Sequence, residues 1–123
     1  MPVRGIRGAT TADANTPEAI LSATRELLLT IVSENRVDPA DLASVYFTMT
    51  PDLGAAFPAR AARDLGWTHI ALLDAQAPRV AGDLSRCIRV LVHWNTDRPP
   101  SQITNVYLRD ARTLRPDLVE TQP

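Results

Sequence analysis

The sequence contains no lysine: all 13 of its basic residues are arginine, and with 14 aspartates and glutamates the formal net charge is −1. A chain this close to neutral lacks the positive field with which proteins bind the phosphates of nucleic acids. Aromatic residues make up only 5% of the chain, too few for the stacking platforms that hold single strands. We therefore expect no nucleic-acid partner.

Cysteine and histidine are also scarce. Cys87 is the only cysteine, which excludes an internal disulfide and is typical of a reducing cytoplasm. The two histidines, His69 and His93, do not stand at the spacing of metal ligands. No apolar run is long enough to span a membrane, and no signal peptide is recognisable. The sequence thus predicts a cytoplasmic protein that needs no membrane, metal or cofactor.

Residues for covalent or acid–base chemistry are hard to find as well. There is no glycine-rich phosphate loop, no G-x-S-x-G turn and no pair of carboxylates at a fixed spacing. Cys87 lies in an apolar segment, where a cysteine is usually an inert core residue. What remains favours ligand binding, or a reaction that needs neither a base nor a nucleophile.

Periodicity predicts one α+β domain over residues 1–123. A long helix begins with Thr16 as its N-cap and Pro17 in its first turn, and apolar residues recur at helical spacing to about Asn35. A short turn of helix follows Asp38, and another short helix is predicted over residues 58–65. β-Branched and apolar segments predict about five strands of a mixed sheet, at residues 3–10, 44–50, 69–73, 87–95 and 103–108.

Arg89 stands in the most apolar segment of the chain, residues 87–92, which is typical of a strand buried on both faces. Its guanidinium does not lose its charge, so burial requires a partner. Two partners stay open: a distant carboxylate of the protein or an anionic ligand. Arg7, between Ile6 and Gly8 in the first strand, repeats the pattern, although an edge strand with a solvated arginine also fits it.

Arginine binds carboxylates through a rigid two-pronged fork. Two arginines in apolar settings, together with Tyr107, would bind a small polycarboxylate and present a fixed positive charge to it. A coding bias toward arginine is the alternative explanation for the missing lysine. His93, four residues after Arg89 on the same strand face, either lines that cavity or simply packs.

Several motifs carry a resemblance to a known family. They occur in the family's order, at near-constant spacing and nearly from end to end of the chain. They are RGIRGATT at residues 4–11, TPDL at 50–53, FPAR at 57–60, CIRV at 87–90, VYL at 106–108 and LRPDL at 114–118. With them the sequence resembles the monofunctional chorismate mutases of the trimeric, AroH-type α/β class.

The resemblance implies a Claisen rearrangement of chorismate to prephenate in aromatic amino-acid biosynthesis, without proton transfer, covalent intermediate or cofactor. Negative charge grows on the ether oxygen as its bond to the ring breaks, and a preorganised cation binds that transition state more tightly than the substrate. By resemblance Arg89 supplies this cation, while Arg7 and Tyr107 hold the enolpyruvyl carboxylate.

The resemblance also implies a homotrimer, a pseudo-α/β barrel in which each site lies between two subunits. One subunit would contribute the positions Arg7, Leu72, Leu73, Asp74, Arg89, Tyr107 and Leu114. The neighbouring subunit would contribute Phe57, Ala59, Arg60 and Arg63, and Arg115 would lie near the mouth of the site.

The chain departs from the family in one loop. The family usually carries a glutamate, three residues after a cysteine or serine, whose carboxylate binds the ring hydroxyl of the substrate. Here the two positions are Ala77 and Asp74. We therefore predict that Asp74 supplies the carboxylate and counters Arg89; an aspartate that caps the loop backbone is the alternative. Arg60 stands where the family usually has lysine, which keeps the charge.

Two other functions stay open. A trimeric enamine/imine deaminase of similar size and fold also binds a carboxylate through arginine, but it needs an acid to activate water, and residues 114–123 offer no strand-borne glutamate for that role. A non-catalytic carboxylate-binding regulator would use the same arginines, and the altered loop leaves room for it.

Overall fold

The computed structural model describes residues 1–114. Five strands form one mixed sheet in the order β3-β2-β4-β1-β5. The strands are β1 Val3–Thr11, β2 Leu42–Met49, β3 Ala71–Gln76, β4 Cys87–Asn95 and β5 Val106–Tyr107, and the helices are α1 Pro17–Asn35 and α2 Ala59–Asp64. β4 runs antiparallel to both β1 and β2, whereas β3 and β5 each pair in parallel with an inner neighbour. The predicted α+β fold is confirmed.

Helix α1 forms where the cap signals predict it. The Thr16 hydroxyl accepts a hydrogen bond from the Ala19 N–H at 3.2 Å, and Pro17 occupies the first turn. The helix ends at Arg36, whose backbone adopts the left-handed conformation with φ 55°. Its buried stripe packs on the sheet, and each such aliphatic side chain contributes about 1.5–3 kcal/mol through burial. The stripe includes Ile20, Leu27, Leu28 and Ile31.

The core lies between the two helices and one face of the sheet. Phe47 and Val90 from the inner strands meet Leu27 of α1 and Ala62 of α2 in a single buried cluster. Gly8 of β1 lies under α1 and permits this close approach. A β-carbon at Gly8 would lie 2.9 Å from Ile31 Cδ1, 3.0 Å from Val90 Cγ1 and 3.1 Å from Leu27 Cδ1.

Strand β4 is buried on one face, so the prediction of two-sided burial is wrong for the single chain. Ile88 and Val90 are 0% and 2% exposed, whereas Arg89 and Leu91 are only partly buried. The physical reason is that both helices cover the same side of the sheet. The other face, which carries Arg89, has no helix over it among the described residues.

Several strand boundaries also differ from the prediction, most clearly those of β3 and β5. β3 extends to Gln76 because its parallel pairing with β2 continues, and the Ala77 N–H still donates to the Met49 carbonyl at 2.7 Å. β5 contains only two residues, because side chains replace the expected strand bonds before it. The Asn35 side chain binds the backbone of Thr104 at 2.8 and 2.9 Å. Within residues 1–114, no helix is long and apolar enough to cross a membrane.

Candidate active site

Arg7 and Arg89 lie on the same open face of the sheet. Ala9 pairs with Arg89 and Arg7 pairs with Leu91, so the two arginines alternate onto the face opposite the helices. Their side chains border a common cleft of about 310 Å³. The residues that line it are Arg7, Tyr46, Thr48, Arg89, Val90 and Leu91.

Arg89 has a carboxylate partner that the sequence did not reveal. Its Nη2 donates to Asp83 Oδ1 at 3.0 Å, and the two side chains remain 24% and 21% exposed. Asp83 lies in the loop between β3 and β4. The hydrogen bond from Arg89, followed by one from the Leu84 N–H, lowers the pKa of Asp83, so its carboxylate is ionised at neutral pH. The partner of Arg89 within the chain is therefore a carboxylate of this loop, and it lines a second cleft together with Asp52 and Val80.

Tyr107 joins this face through the parallel pairing of β5 with β1. It lies opposite Ala9, and its neighbour Val106 is buried in the core, so alternation turns Tyr107 toward the side of Arg7. Its hydroxyl oxygen is buried and makes no hydrogen bond to any of residues 1–114. A buried hydroxyl without a partner is costly, which makes this group a candidate for binding a ligand.

The strand that carries Leu72, Leu73 and Asp74 lies at the edge of the sheet. Leu73 pairs with Tyr46 and is 55% exposed on the open face. Leu72 and Asp74 alternate onto the other face, where Leu72 packs against the core. The three predicted residues are thus divided between the two faces of the sheet.

Asp74 contacts α2 and not Arg89. Its Oδ1 accepts a hydrogen bond from the Ala59 N–H at 3.0 Å, at the start of the helix. Burial raises the pKa of the Asp74 carboxyl, an effect that this hydrogen bond and the charge of Arg63 partly oppose. The expectation that Asp74 counters Arg89 is corrected, because alternation along β3 turns Asp74 away and Asp83 occupies that place.

The residues expected from a neighbouring subunit lie in and just before α2. Phe57 is 65% exposed, and Arg60 and Arg63 are exposed one helical turn apart, whereas Ala59 is 2% exposed and packs in the core. None of these residues lines the cleft of Arg7 and Arg89. Leu114 is partly buried after a 3₁₀ turn, and Arg115 lies outside the described residues.

The remaining titratable side chains near the open face are already engaged or buried. His93 Nδ1 lies 2.9 Å from the Ser44 hydroxyl, and its ring meets Tyr46 edge-on at 5.8 Å. Burial raises the pKa of the Cys87 thiol, which keeps it protonated and unreactive. Residues 1–114 contain no group of three or more His, Cys, Asp or Glu placed to hold a metal ion. The chemical feature that the open face provides is therefore fixed positive charge.

Comparisons with known proteins agree over almost the whole chain. Residues 3–118 match the family model described as chorismate mutase type I. The chain is 53% identical over 121 residues to chorismate mutase AroH of Thermus thermophilus, covering 98% of this chain and 99% of that protein. It is 46% identical over 123 residues to chorismate mutase AroH of Bacillus subtilis, covering 99% and 97%. A solved chorismate mutase from Clostridium thermocellum matches with a TM-score of 0.87 and 45% identity, covering 89% of this chain and 97% of that one.

Proposed function

The chain belongs to the chorismate mutase type I family, and we propose that it converts chorismate to prephenate in the cleft between Arg7 and Arg89. The family predicted from the motifs is confirmed, and with it the isomerase activity in aromatic amino-acid biosynthesis. The same match to the chorismate mutase family rules out the deaminase alternative. The observation that carries the proposed site is the convergence of the two arginines on one cleft of the open sheet face.

Arg89 supplies the fixed positive charge in this proposal. Its side chain is 24% exposed, so the guanidinium is largely shielded from water while it borders the cleft. A charge in that setting acts more strongly than one in bulk water. As the ether bond breaks, electron density moves onto the ether oxygen. The guanidinium then stabilises the transition state more than the substrate, which raises the rate of the chemical step.

Arg7 and Tyr107 hold the enolpyruvyl carboxylate. Arg7 lies two residues before Ala9 in β1, and Ala9 pairs with Tyr107 of β5 on one side and with Arg89 of β4 on the other. A ligand held at all three side chains has its enolpyruvyl arm fixed over the ring. Fixing the folded conformer brings the two reacting carbon atoms together and removes rotational freedom before the reaction. The substrate's own electrons then make and break the bonds, with no proton to transfer.

The complete site requires a second copy of the chain, and we propose that the protein is a homotrimer. The helices and Asp74 lie on one side of the sheet, while Arg7 and Arg89 face the other, so α2 does not reach the cleft of its own subunit. Tyr46 and Leu73 leave 46% and 55% of their area exposed on the open face, which suits a protein neighbour. Arg60 and Arg63 of that neighbour would add positive charge around the dicarboxylate. The free, buried Cys87 supports a cytoplasmic location.

The test is direct, because chorismate loses its characteristic ultraviolet absorbance as it rearranges. Purified protein without added metal or cofactor should consume chorismate and form an equal amount of prephenate. Failure of the wild-type protein to accelerate this decay above the uncatalysed rate would contradict the proposed function. A protein that binds chorismate tightly without converting it would support the regulator alternative instead.

A further inference from the structure

We propose that Asp83 is the acidic residue of this site. Its carboxylate pairs with the charge of Arg89 and accepts a hydrogen bond from the ring hydroxyl of chorismate. The inference rests on the proposed function. It assigns to Asp83 the task that the family gives to a glutamate whose position here is Ala77. The carboxylate then comes from the far end of the same loop.

The first support is direct contact. Asp83 Oδ1 lies 3.0 Å from Arg89 Nη2 and 2.8 Å from the Leu84 N–H. Both of these hydrogen bonds use Oδ1. No described residue within 1–114 donates a hydrogen bond to Oδ2. One oxygen thus orients the carboxylate on Arg89, and the other is left to accept a ligand hydroxyl.

The second support is that the loop holds Asp83 in place. The Asp83 N–H donates to the Val80 carbonyl at 3.1 Å in a turn whose third residue, Gly82, has φ 82°, a conformation that glycine adopts without strain. Beyond Asp83, the Arg86 N–H donates to Asp52 Oδ2 at 2.8 Å. The Ala12 N–H also donates to the Arg86 carbonyl at 2.8 Å, so both sides of Asp83 are anchored.

The third support comes from the chemistry of the substrate. In chorismate the ether oxygen and the hydroxyl are carried by neighbouring ring carbons. A guanidinium that binds the ether oxygen therefore has the hydroxyl close beside it. Asp83 contacts that same guanidinium, and its carboxylate is ionised because Arg89 lowers its pKa. An ionised carboxylate accepts a hydrogen bond from the hydroxyl group and stabilises the positive charge that grows on the ring.

The two other positions in this segment do not provide a carboxylate to the cleft. Asp74 alternates onto the helix face and binds the Ala59 N–H. Ala75 pairs with Thr48, which pairs in turn with Arg89, so Ala75 is on the Arg89 face. Ala77, two residues later, follows the same alternation but carries no acid. A glutamate at 77 and the aspartate at 83 would therefore serve the same face.

A pair of competitive inhibitors tests the assignment without depending on turnover. The pair consists of two cyclic dicarboxylates that differ only by the ring hydroxyl. Wild-type protein should bind the hydroxylated inhibitor more tightly, and Asp83→Ala and Asp83→Asn should reduce that preference by about 10- to 100-fold, as for a hydrogen bond to a charged group. The matched control is Asp97→Asn, at an exposed aspartate away from the cleft, which should keep the wild-type preference.

If Asp83 only fixes the side chain of Arg89, the result should differ. Both inhibitors should then bind Asp83→Ala at least as tightly as they bind wild type, and the ratio of their affinities should stay at the wild-type value. That outcome overturns the assignment.

A second variant, Ala77→Glu added to Asp83→Ala, should restore part of the hydroxyl preference and of kcat. No recovery would count against the inference that residues 77 and 83 serve the same face of the sheet. Chorismate conversion by wild-type protein separates the two proposals: loss of preference in Asp83→Asn beside an active wild type supports Asp83, and an inactive wild type contradicts the proposed function itself.

Discussion

The Asp74 carboxylate accepts a hydrogen bond from the Ala59 N–H at 3.0 Å and so joins the edge strand β3 to the first turn of α2. Helix α2 carries Arg60 and Arg63, which we propose reach into the site of a neighbouring subunit. Burial raises the pKa of Asp74, and the nearby charge of Arg63 opposes that shift. In the single chain, Asp74 therefore acts on the helix that bears Arg60 and Arg63.

The first prediction concerns this contact. Asp74→Ala removes the acceptor at the start of α2 and should lower the free energy of unfolding by about 1 kcal/mol, as for loss of a helix cap. It should also raise KM for chorismate more than it lowers kcat, because Arg60 and Arg63 lose their support. Asp74→Asn keeps an acceptor oxygen, so its steady-state kinetics should match those of wild type, and so should its urea unfolding at about pH 3, where the wild-type carboxyl is also uncharged. A folded Asp74→Asn protein with strongly reduced kcat would show instead that the carboxylate itself binds substrate.

The second prediction is a pH dependence of stability with opposite signs at two aspartates. The pKa of Asp83 is lowered in the folded state, so its contribution to stability is present above its unfolded value of about 3.9 and is lost as the pH falls through the folded pKa. The pKa of Asp74 is raised, so its contribution is present below that value and is lost as the pH rises through the folded pKa.

Urea unfolding from pH 2 to 7 checks these signs. Compared with wild type, Asp83→Asn should lose less stability as the pH falls below about 4, and Asp74→Asn should lose less stability as the pH rises above about 4. If the free energy of unfolding depends on pH in both variants as it does in wild type, neither aspartate has a shifted pKa in the folded protein.

The third prediction concerns packing of the helix on the sheet. A methyl group at Gly8 would lie 2.9 Å from Ile31 Cδ1 and 3.1 Å from Leu27 Cδ1, so α1 must move away or adopt strained rotamers. Gly8→Ala should therefore destabilise the fold by about 1–3 kcal/mol. Gly5→Ala is the matched control in the same strand, since its added carbon meets only Leu91 Cδ1 at 3.5 Å. Equal unfolding midpoints for the two variants would contradict the packing described at Gly8.

The fourth prediction tests the shared site. The protein should sediment as a trimer at micromolar concentration, and Arg7→Ala and Arg63→Ala should each be inactive alone. Produced together, the two variants should regain about one quarter of the wild-type activity, because random assembly places two intact contributions around about one site in four. Mixed trimers without any recovered activity would show that Arg7 and Arg63 do not act from different subunits.

The elements of the fold were largely predictable, because their signals are local. Thr16 and Pro17 mark the start of α1, and the hydrogen bond from Ala19 to Thr16 bears this out. The short β5 was not predictable, because its length depends on contacts that Asn35 makes with Thr104, 69 residues away in the chain.

The two arginines of the proposed site, Arg7 and Arg89, were predictable from the sequence, whereas Asp83 was not. Arg89 can be identified as a candidate from the sequence because its permanent charge stands in an apolar strand. The face that Asp74 occupies depends on strand register, and a shift of one residue reverses it. Asp83 reaches Arg89 only through the path of the loop, which no short pattern encodes. The open face of β4 has a related cause, since a single chain covers only one side of its sheet.

In the proposed mechanism the positive charge of Arg89 stabilises the transition state, and replacing Arg89 with citrulline removes that charge from the guanidinium position. Citrulline keeps the planar shape of the arginine side chain but is neutral, with a carbonyl oxygen in place of one amino group. The rate constant kcat, followed by the loss of chorismate absorbance, should fall by at least 100- to 1,000-fold, or about 2.7–4 kcal/mol, while the fold remains intact. The same replacement at the exposed Arg25 is the control and should leave kcat unchanged. A citrulline-89 protein with near wild-type kcat would show that Arg89 serves only as the ion-pair partner of Asp83.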